Sequence, residues 1–394
     1  MHNGSAADFD SASVGSIPAG SAIPNSIMRD TFAFIADTHL RSFQHGRSYR
    51  GQDFFNAFIY ALESMRRQNI TTVIHGGDLL DIRNPSSEVI DQLCRINAKA
   101  NELGMVISVI TGNHDRCDPS WVQVLNNVLA AANTSSCIRS LDNEMLVLPG
   151  GTTIYGLPFM NSAELQETLK TTPEADFLVW HGAVKEFCNF PAQDVVTVSL
   201  FEETNKYKNV LLGDIHINKY LPFGSDKKGI IGYPGSLELC EAGEPTEKFY
   251  SVINFKDGVV SCTQTPVKTR KVIKFKITTS DDLDRLVRQQ LATFKNDVPM
   301  LLGKYNPRVP DCLPRIQAAM HPDSILRATP MIDLRPDQGT QEVSPEENKK
   351  LDSFLGAFIP SEAQPELHNL AVQLLEPGAK ASILITEYVD KNLK

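Results

Sequence analysis

The stretch FIADTHL, residues 34–40, ends an apolar run with an acid and a histidine, Asp37 and His39. Side chains at i and i+2 of an extended segment point to the same side, so the pair offers one oxygen and one nitrogen to a single point. That is what a metal ion requires. Taken alone, the pair is explained as well by Asp37 capping the next segment and His39 in an ordinary polar contact. The pattern recurs, however: TTVIH runs into GGDLLD with Asp78, and MVISVI into TGNHDR with Asn113, His114 and Asp115. DFLVW is followed by His181, and NVLLG by Asp214 and His216. Each instance has a bland explanation, since an isolated Gly-Asp is usually a turn, Asn113 suits a turn, and a single histidine is more often a satisfied polar contact than a ligand. Recurrence at the end of strand after strand is what chance does not supply. In open α/β sheets ligands gather at the carboxyl ends of the strands, so these side chains are expected to converge.

The mixed oxygen and nitrogen set, without thiolate, suits Mn²⁺, Fe²⁺ or Zn²⁺ better than a soft metal. It holds donors enough for two ions. A central carboxylate can bridge ions about 3.5–4 Å apart, the arrangement that clamps attacking and leaving oxygens in phosphoester displacement.

These residues need a scaffold that delivers strand ends to one place. Residues 31–36 read as a strand, Asp53 to Arg67 as a helix with Phe54, Phe58, Leu62 and Met65 at helical spacing, and TTVIH as a strand. A helix over 86–103, the strand MVISVI and a helix over 120–132 continue the alternation. This βαβαβα order implies a largely parallel sheet covered on both faces. MLVLP, TTIYGL, DFLVWH, NVLLGD, KGIIGY and FYSVINF are further strands, the later ones close together without helices between them. A second sheet with antiparallel pairing is therefore expected, giving an α/β sandwich of two packed sheets.

Near Val267 the character changes, with KTRKVIKFKITTSDDLDRLVRQQLATF reading as a strand and then an amphipathic helix capped by Ser280. A polar, proline-bearing linker follows, then helical segments over 345–358 and 362–376 and the final run ASILITEYVDKNLK. Residues 1–29, rich in Ser, Ala, Gly and Pro and lacking a basic region before an apolar core, read as a flexible tail, in part a cloning remnant, and not as a signal peptide.

With 394 residues, the chain is expected to form two domains, or one with an appendage. Its hydrophobic fraction of 42% is ample for a core, and no apolar run is long enough to span a bilayer. A net charge of -9 gives no overall attraction to nucleic acid, so such contacts need a local basic surface or bound cations. Seven scattered cysteines without a CxxC pair point to reduced thiols in a cytosol-like compartment, against a disulfide framework and a structural zinc site.

The ordered blocks D-x-H, GGD, GNHD, WHG and GD-x-H resemble the calcineurin-like metallophosphoesterase superfamily. Within it, ADTHL, GGDLLDIRNPS, TGNHD and GYPGSLE are most similar to the SbcD-type nuclease subunit and the meiotic recombination eleven nuclease, over roughly residues 31–255. YPGSLE, Tyr233 to Glu238, discriminates against the superfamily's protein phosphatases, which typically read GNHE and GDxxDRG. The resemblance implies a two-sheet metallophosphoesterase sandwich and a Mn²⁺-dependent DNA nuclease, with Mg²⁺, Fe²⁺ or Zn²⁺ as substitutes. It implies that Asp78 bridges two metals, with Asp37, His39 and His216 on the first ion and Asn113, His181 and Asp214 on the second. His114 would be the general acid at the leaving oxygen, Asp115 would orient it, and a hydroxide held between the metals would attack the phosphodiester.

Two positions depart from the family. Asp214 stands where GHxH places a histidine ligand, which adds negative charge and bears on metal preference. Asp81 stands where relatives often carry the histidine of GDLFH that is associated with exonuclease action, so phosphodiester hydrolysis is the firmer expectation.

The resemblance divides the chain into a tail (1–29), a nuclease domain (30–266), a smaller α+β DNA-capping domain (267–335) and a linker with C-terminal helices for an ATPase (336–394). Lys268, Arg270 and Lys271 would touch DNA phosphates, although a solvated strand with alternating lysines explains KTRKVIKFK equally well. The implied partners are DNA, an SbcC-like coiled-coil ATPase and a second copy of the chain, with no membrane. The expected setting is the cytoplasm, bacterial or that of a phage host, in recombination, repair or replication. Two other readings stand beside this one: a small-substrate phosphoesterase of the same superfamily, and a non-catalytic scaffold that binds DNA or a partner.

Overall fold

Apolar strands buried on both faces need helices or a second sheet on each side, and the chain supplies both. The computed structural model describes residues 30–188, 194–291 and 298–331. β1 (Asp30–Ile35), α1 (Tyr49–Arg67), β2 (Thr72–His75), α2 (Ser87–Glu102), β3 (Val106–Val109), α3 (Trp121–Ala131) and β4 (Ile138–Ser140) succeed one another. The four strands pair in parallel. Strand periodicity divides β1 between two cores: Ala33 and Ile35 pack with Phe58 and Leu62 of α1, while Phe32 and Phe34 face the other sheet.

β5 (Met145–Val147), β6 (Thr153–Leu157), α4 (Ser162–Thr171), β7 (Ala175–His181), the short β8 (Ala183–Val184) and β9 (Val195–Val196), α5 (Val198–Thr204), β10 (Tyr207–Gly213), β11 (Lys219–Phe223) and β12 (Gly229–Tyr233) follow. The second sheet has the order β11-β12-β10-β7-β6-β5. The antiparallel pairing expected for it is confined to its edges, β5 on β6 and β11 on β12, while β6, β7, β10 and β12 run parallel. The reason is the two short helices, α4 and α5, that carry the chain back between strands. α4 had a sequence signal, the Asn161–Glu164 capping box, which both side chains complete.

β13 (Lys248–Lys256) returns to the first sheet, antiparallel to β1, and β14 (Val259–Val267) pairs with it across a tight Asp257-Gly258 turn in which both residues have positive φ. FYSVINF therefore belongs to the first sheet, of order β14-β13-β1-β2-β3-β4. Phe32 meets Phe177 edge-on with centroids 5.3 Å apart, and Phe177 meets Phe255 at 5.2 Å, so aromatic rings fill the space between the two sheets.

Residue contacts divide the described residues into two units, the first running to Val272 and including residues 298–300, the second comprising residues 273–291 and 301–331. In the second, β15 (Val272–Ile277), β16 (Met300–Tyr305) and β17 (Ile325–Pro330) form a three-stranded sheet in the order given, with α6 (Ser280–Arg285) and α7 (Cys312–Ala319). Ile273, Ile277, Leu283, Leu301 and Ile316 make its core. The cap of α6 is Thr279, one residue before the expected Ser280, because Thr279 Oγ1 accepts the Asp282 amide in a capping box. The expected helices over 345–358 and 362–376, and the tail 1–29, lie outside the described residues. Among the described residues no helix is long and apolar enough to cross a membrane.

Candidate metal centre

The centre is built where β1, β2, β7 and β10 end. Asp37, His39, Asp78 and Asp214 all hold positive φ, 53°, 43°, 54° and 104°, a backbone region that residues with a side chain rarely adopt. Strain of this kind persists only where surroundings over-determine it, and it clusters at functional sites. Glycines make the close approach feasible: a Cβ on Gly77 would lie 2.4 Å from His181 Nδ1, and one on Gly112 2.1 Å from Asp78 Oδ1.

Each of three histidines directs Nδ1 to an oxygen and turns Nε2 inward. His181 Nδ1 donates to the Gly76 carbonyl at 2.7 Å, His216 Nδ1 meets Glu244 Oε1 at 2.7 Å, and His39 Nδ1 lies 3.3 Å from Asp81 Oδ1. A hydrogen bond at one ring nitrogen, as His181 and His216 make, sets the tautomer and leaves the other as a lone-pair donor, the usual support of a metal-binding histidine, whereas His39 Nδ1 is only near its carboxylate. The inward atoms then crowd together. His39 Nε2 is 3.1 Å from His216 Nε2 and 3.7 Å from Asp78 Oδ2, while His181 Nε2 is 2.9 Å from Asn113 Oδ1, 3.5 Å from Asp78 Oδ2 and 3.8 Å from Asp214 Oδ1. Asp37, Asp78 and His181 have donor atoms within 4.8 Å of one another, and all three are buried.

Electron-rich atoms packed this closely call for cations. Burial pushes the Asp37 carboxyl up to about 7 and raises Asp214, and drives His39 down to about 4. Burial would also raise Asp78, but the charges of His181 and His39 and the His114 amide outweigh it and hold that carboxylate below its usual range. Burial would lower His181, but Asp78, Asp37 and Asp214 carry it up to about 10. Only the His181 shift reports the charge around it, three carboxylates drawing a proton onto one buried imidazole, while the rises at Asp37 and Asp214 reflect chiefly their removal from water. Divalent ions fit: three imidazole nitrogens, an amide oxygen and three carboxylates form the oxygen-and-nitrogen donor set, with Asp78 between the two histidine groups.

All seven expected metal-site residues thus meet at one place. His114 stands beside them, exposed, its ring edge-on to His39 with centroids 5.0 Å apart. Asp115 does not take the expected part of orienting it. Its buried carboxylate accepts the amides of Leu79, Leu80 and Gly112 at 2.8, 3.2 and 2.8 Å and ties the β2 and β3 loops together. The oxygen at the His114 ring is the Asp81 carbonyl, 2.8 Å from Nδ1, because the Asp78 loop curls under it. The Asp81 carboxylate meanwhile pairs with Arg41 at 2.6 Å.

Arg270, one of the three residues expected at DNA phosphates, is held against Asp53. Its guanidinium forks onto Asp53 at 2.6 and 2.8 Å, donates to the Val298 carbonyl and stacks 4.6 Å above the Tyr49 ring, so three of its five N–H donors and its charge are engaged within the protein. Lys268 and Lys271 are exposed and line a cavity of about 420 Å³ with Asp53, Asn56, Tyr60 and Glu238. The reading of the sequence passed over Glu244 and Cys240, which abut His216. Glu244 had a faint signal, its i,i+4 spacing to Lys248.

Residues 31–218 match the calcineurin-like phosphoesterase family. A relative named DNA double-strand break repair protein Mre11 from Methanosarcina acetivorans is 26% identical over 249 residues, covering 60% of this chain and 39% of that protein. Another of the same name, from Haloferax volcanii, is 27% identical over 269 residues, covering 66% of this chain and 57% of its own length. The matched stretch is therefore well under two thirds of either relative.

Proposed function

From the premise that this chain carries a calcineurin-like metallophosphoesterase domain similar to archaeal Mre11, we propose that it is a Mn²⁺-dependent DNA nuclease. The observation that supports this reading most is the convergence of Asp37, His39, Asp78, Asn113, His181, Asp214 and His216 on one cluster with Asp78 in the middle. Asp37, His39, Asp78 and His216 would hold one ion, and Asp78, Asn113, His181 and Asp214 the other. When bound, two divalent ions supply Lewis acidity toward the phosphodiester and lower the pKa of water to give a nucleophile.

The remaining work falls to side chains. His114 Nδ1 donates to the Asp81 carbonyl, so a proton carried on Nε2 is free to move to the leaving oxygen. Asp115 keeps the Asp78 and Asn113 loops in register through three backbone amides. Arg41, fixed over Phe54 at 4.3 Å and paired to Asp81, holds that carboxylate beside His39. Lys268 and Lys271 are the remaining candidates for DNA phosphates. DNA ends as substrate, an SbcC-like ATPase and a second copy as partners, and a cytoplasmic setting complete the proposal.

Degradation of end-labelled duplex and single-stranded DNA with Mn²⁺, Mg²⁺ or chelator, beside Asp78→Asn, tests it. Mn²⁺-dependent cleavage lost in the variant is expected. Hydrolysis of small phosphoesters without DNA cleavage, with the candidate ATPase present, would refute it.

A further inference from the structure

We propose that the Cys240 thiolate is a ligand of this centre, joining His39 and His216 on one ion and shifting that ion's preference from Mn²⁺ toward Zn²⁺ or Fe²⁺. The inference rests on the metal-dependent reading above and goes beyond it, because the ligand set there has no sulfur.

The Sγ of Cys240 and ring nitrogens of His39 and His216 lie within 4.8 Å of one another, inside the span of ligands to one ion. The loop that follows β12 is built to put it there. Tyr233 anchors the start, donating its hydroxyl to the Gly182 carbonyl at 2.7 Å. Glu244 closes the end: Oε1 receives His216 Nδ1 at 2.7 Å and the Glu241 amide at 2.9 Å, while Oε2 receives the Cys240 amide at 3.1 Å. Lys248 Nζ, itself buried, holds Oε2 at 2.5 Å and Ser236 Oγ at 2.8 Å. A single buried carboxylate thus positions both the imidazole and the cysteine backbone, and it directs His216 Nε2, not Nδ1, toward His39.

The thiol donates to the Glu238 carbonyl at 3.6 Å, a bond that would be given up on ligation, but that bond does not account for two imidazole nitrogens 3.1 Å apart within reach of the same sulfur. Two imidazoles and a thiolate are donors that Zn²⁺, Fe²⁺ and Co²⁺ favour over Mn²⁺. Binding converts Cys–SH and M²⁺ to the metal thiolate and releases one proton to solvent.

Cobalt makes the distinction visible. The full chain is titrated with Co²⁺, with visible d–d bands reporting binding and a near-ultraviolet charge-transfer band reporting a Co–thiolate bond. The native protein is expected to show both. Cys240→Ser should keep the visible bands, lose the near-ultraviolet band and bind Co²⁺ and Zn²⁺ at least ~10-fold more weakly, with a smaller change for Mn²⁺. Native Co²⁺ binding without a band that the substitution removes would overturn the thiolate and leave the metal centre standing. Failure to bind either Co²⁺ or Mn²⁺ stoichiometrically would overturn both. Should Cys240→Ser not fold, alkylation of Cys240 in the native chain decides: slowing by bound Zn²⁺ supports ligation, and equal rates with Zn²⁺ bound overturn it.

Discussion

Replacing Arg50 by methionine tests how YPGSLE is held. Arg50 is fully buried at the start of α1, with Nη1 3.2 Å from Glu238 Oε1 and 2.8 Å from Asp53 Oδ2, Nε 2.9 Å from Gln44 Oε1 and Nη2 2.9 Å from the Leu239 carbonyl. Asp53 keeps a second guanidinium, Arg270, after the substitution. Glu238, 1% exposed, keeps only the amides of Leu239 at 2.9 Å and Arg270 at 3.4 Å. Breaking a buried pair and stranding one charge costs about 3–5 kcal/mol, and the methionine side chain limits the cavity, so a loss of ~3 kcal/mol is expected.

The pH dependence has a definite sign. Burial raises the Glu238 carboxyl above its ordinary range even with Arg50 opposing, and without Arg50 it rises further. A raised folded pKa means the fold favours the protonated form. That contribution is fully present below the unfolded value near 4.3 and is lost as pH climbs through the folded value. Urea unfolding should therefore show a smaller loss at pH 5 than at pH 8, and Arg50→Met with Glu238→Gln should recover about 1–2 kcal/mol at pH 8. A loss below ~1 kcal/mol, or one equal at both pH values and unrelieved by the second substitution, would refute this account of the motif.

Gly112→Ala should abolish stoichiometric Mn²⁺ binding in a calorimeter, since its Cβ would stand 2.3 Å from the Asp78 amide nitrogen as well as against the carboxylate; unchanged binding would show that the loop shifts freely. Arg270→Gln is expected to lower stability by about 1–3 kcal/mol with little effect on DNA affinity, whereas Lys268→Gln should weaken DNA binding and flatten its salt dependence; the reverse ranking in a filter-binding titration would restore Arg270 as a phosphate contact. Phe32→Ala, which empties a fully buried position between the two sheets, should lower stability by about 3–5 kcal/mol in denaturant unfolding while the native protein still binds Mn²⁺.

The sequence by itself determined where the chemistry lies along the chain. FIADTHL, TTVIHGGD, VISVITGNHD, VWH and LLGDIH each set donor residues directly after an apolar run, and that adjacency survives any arrangement of the strands, because a strand buried on both faces must surface at its end. It also determined most elements of the first sheet, where long helices alternate with strands. What it left open were partners. Periodicity specifies which face a side chain takes but not what it meets there. Only the tertiary structure set the parallel order β6-β7-β10-β12, through helices of ten and seven residues, of which the first shows in the sequence only as the Asn161–Glu164 capping box. Only it carried Arg270 to Asp53, 217 residues away, and neutralised a side chain that reads as basic in KTRKVIKFK. The same holds at the centre itself: the Asp81 carbonyl replaces Asp115 at the His114 ring, and Glu244 and Cys240 close on His216 from the loop that carries PGSLE, where the i,i+4 spacing of Glu244 to Lys248 says nothing of His216. Such contacts join residues whose proximity follows from strand order and loop path, and no local spacing encodes them.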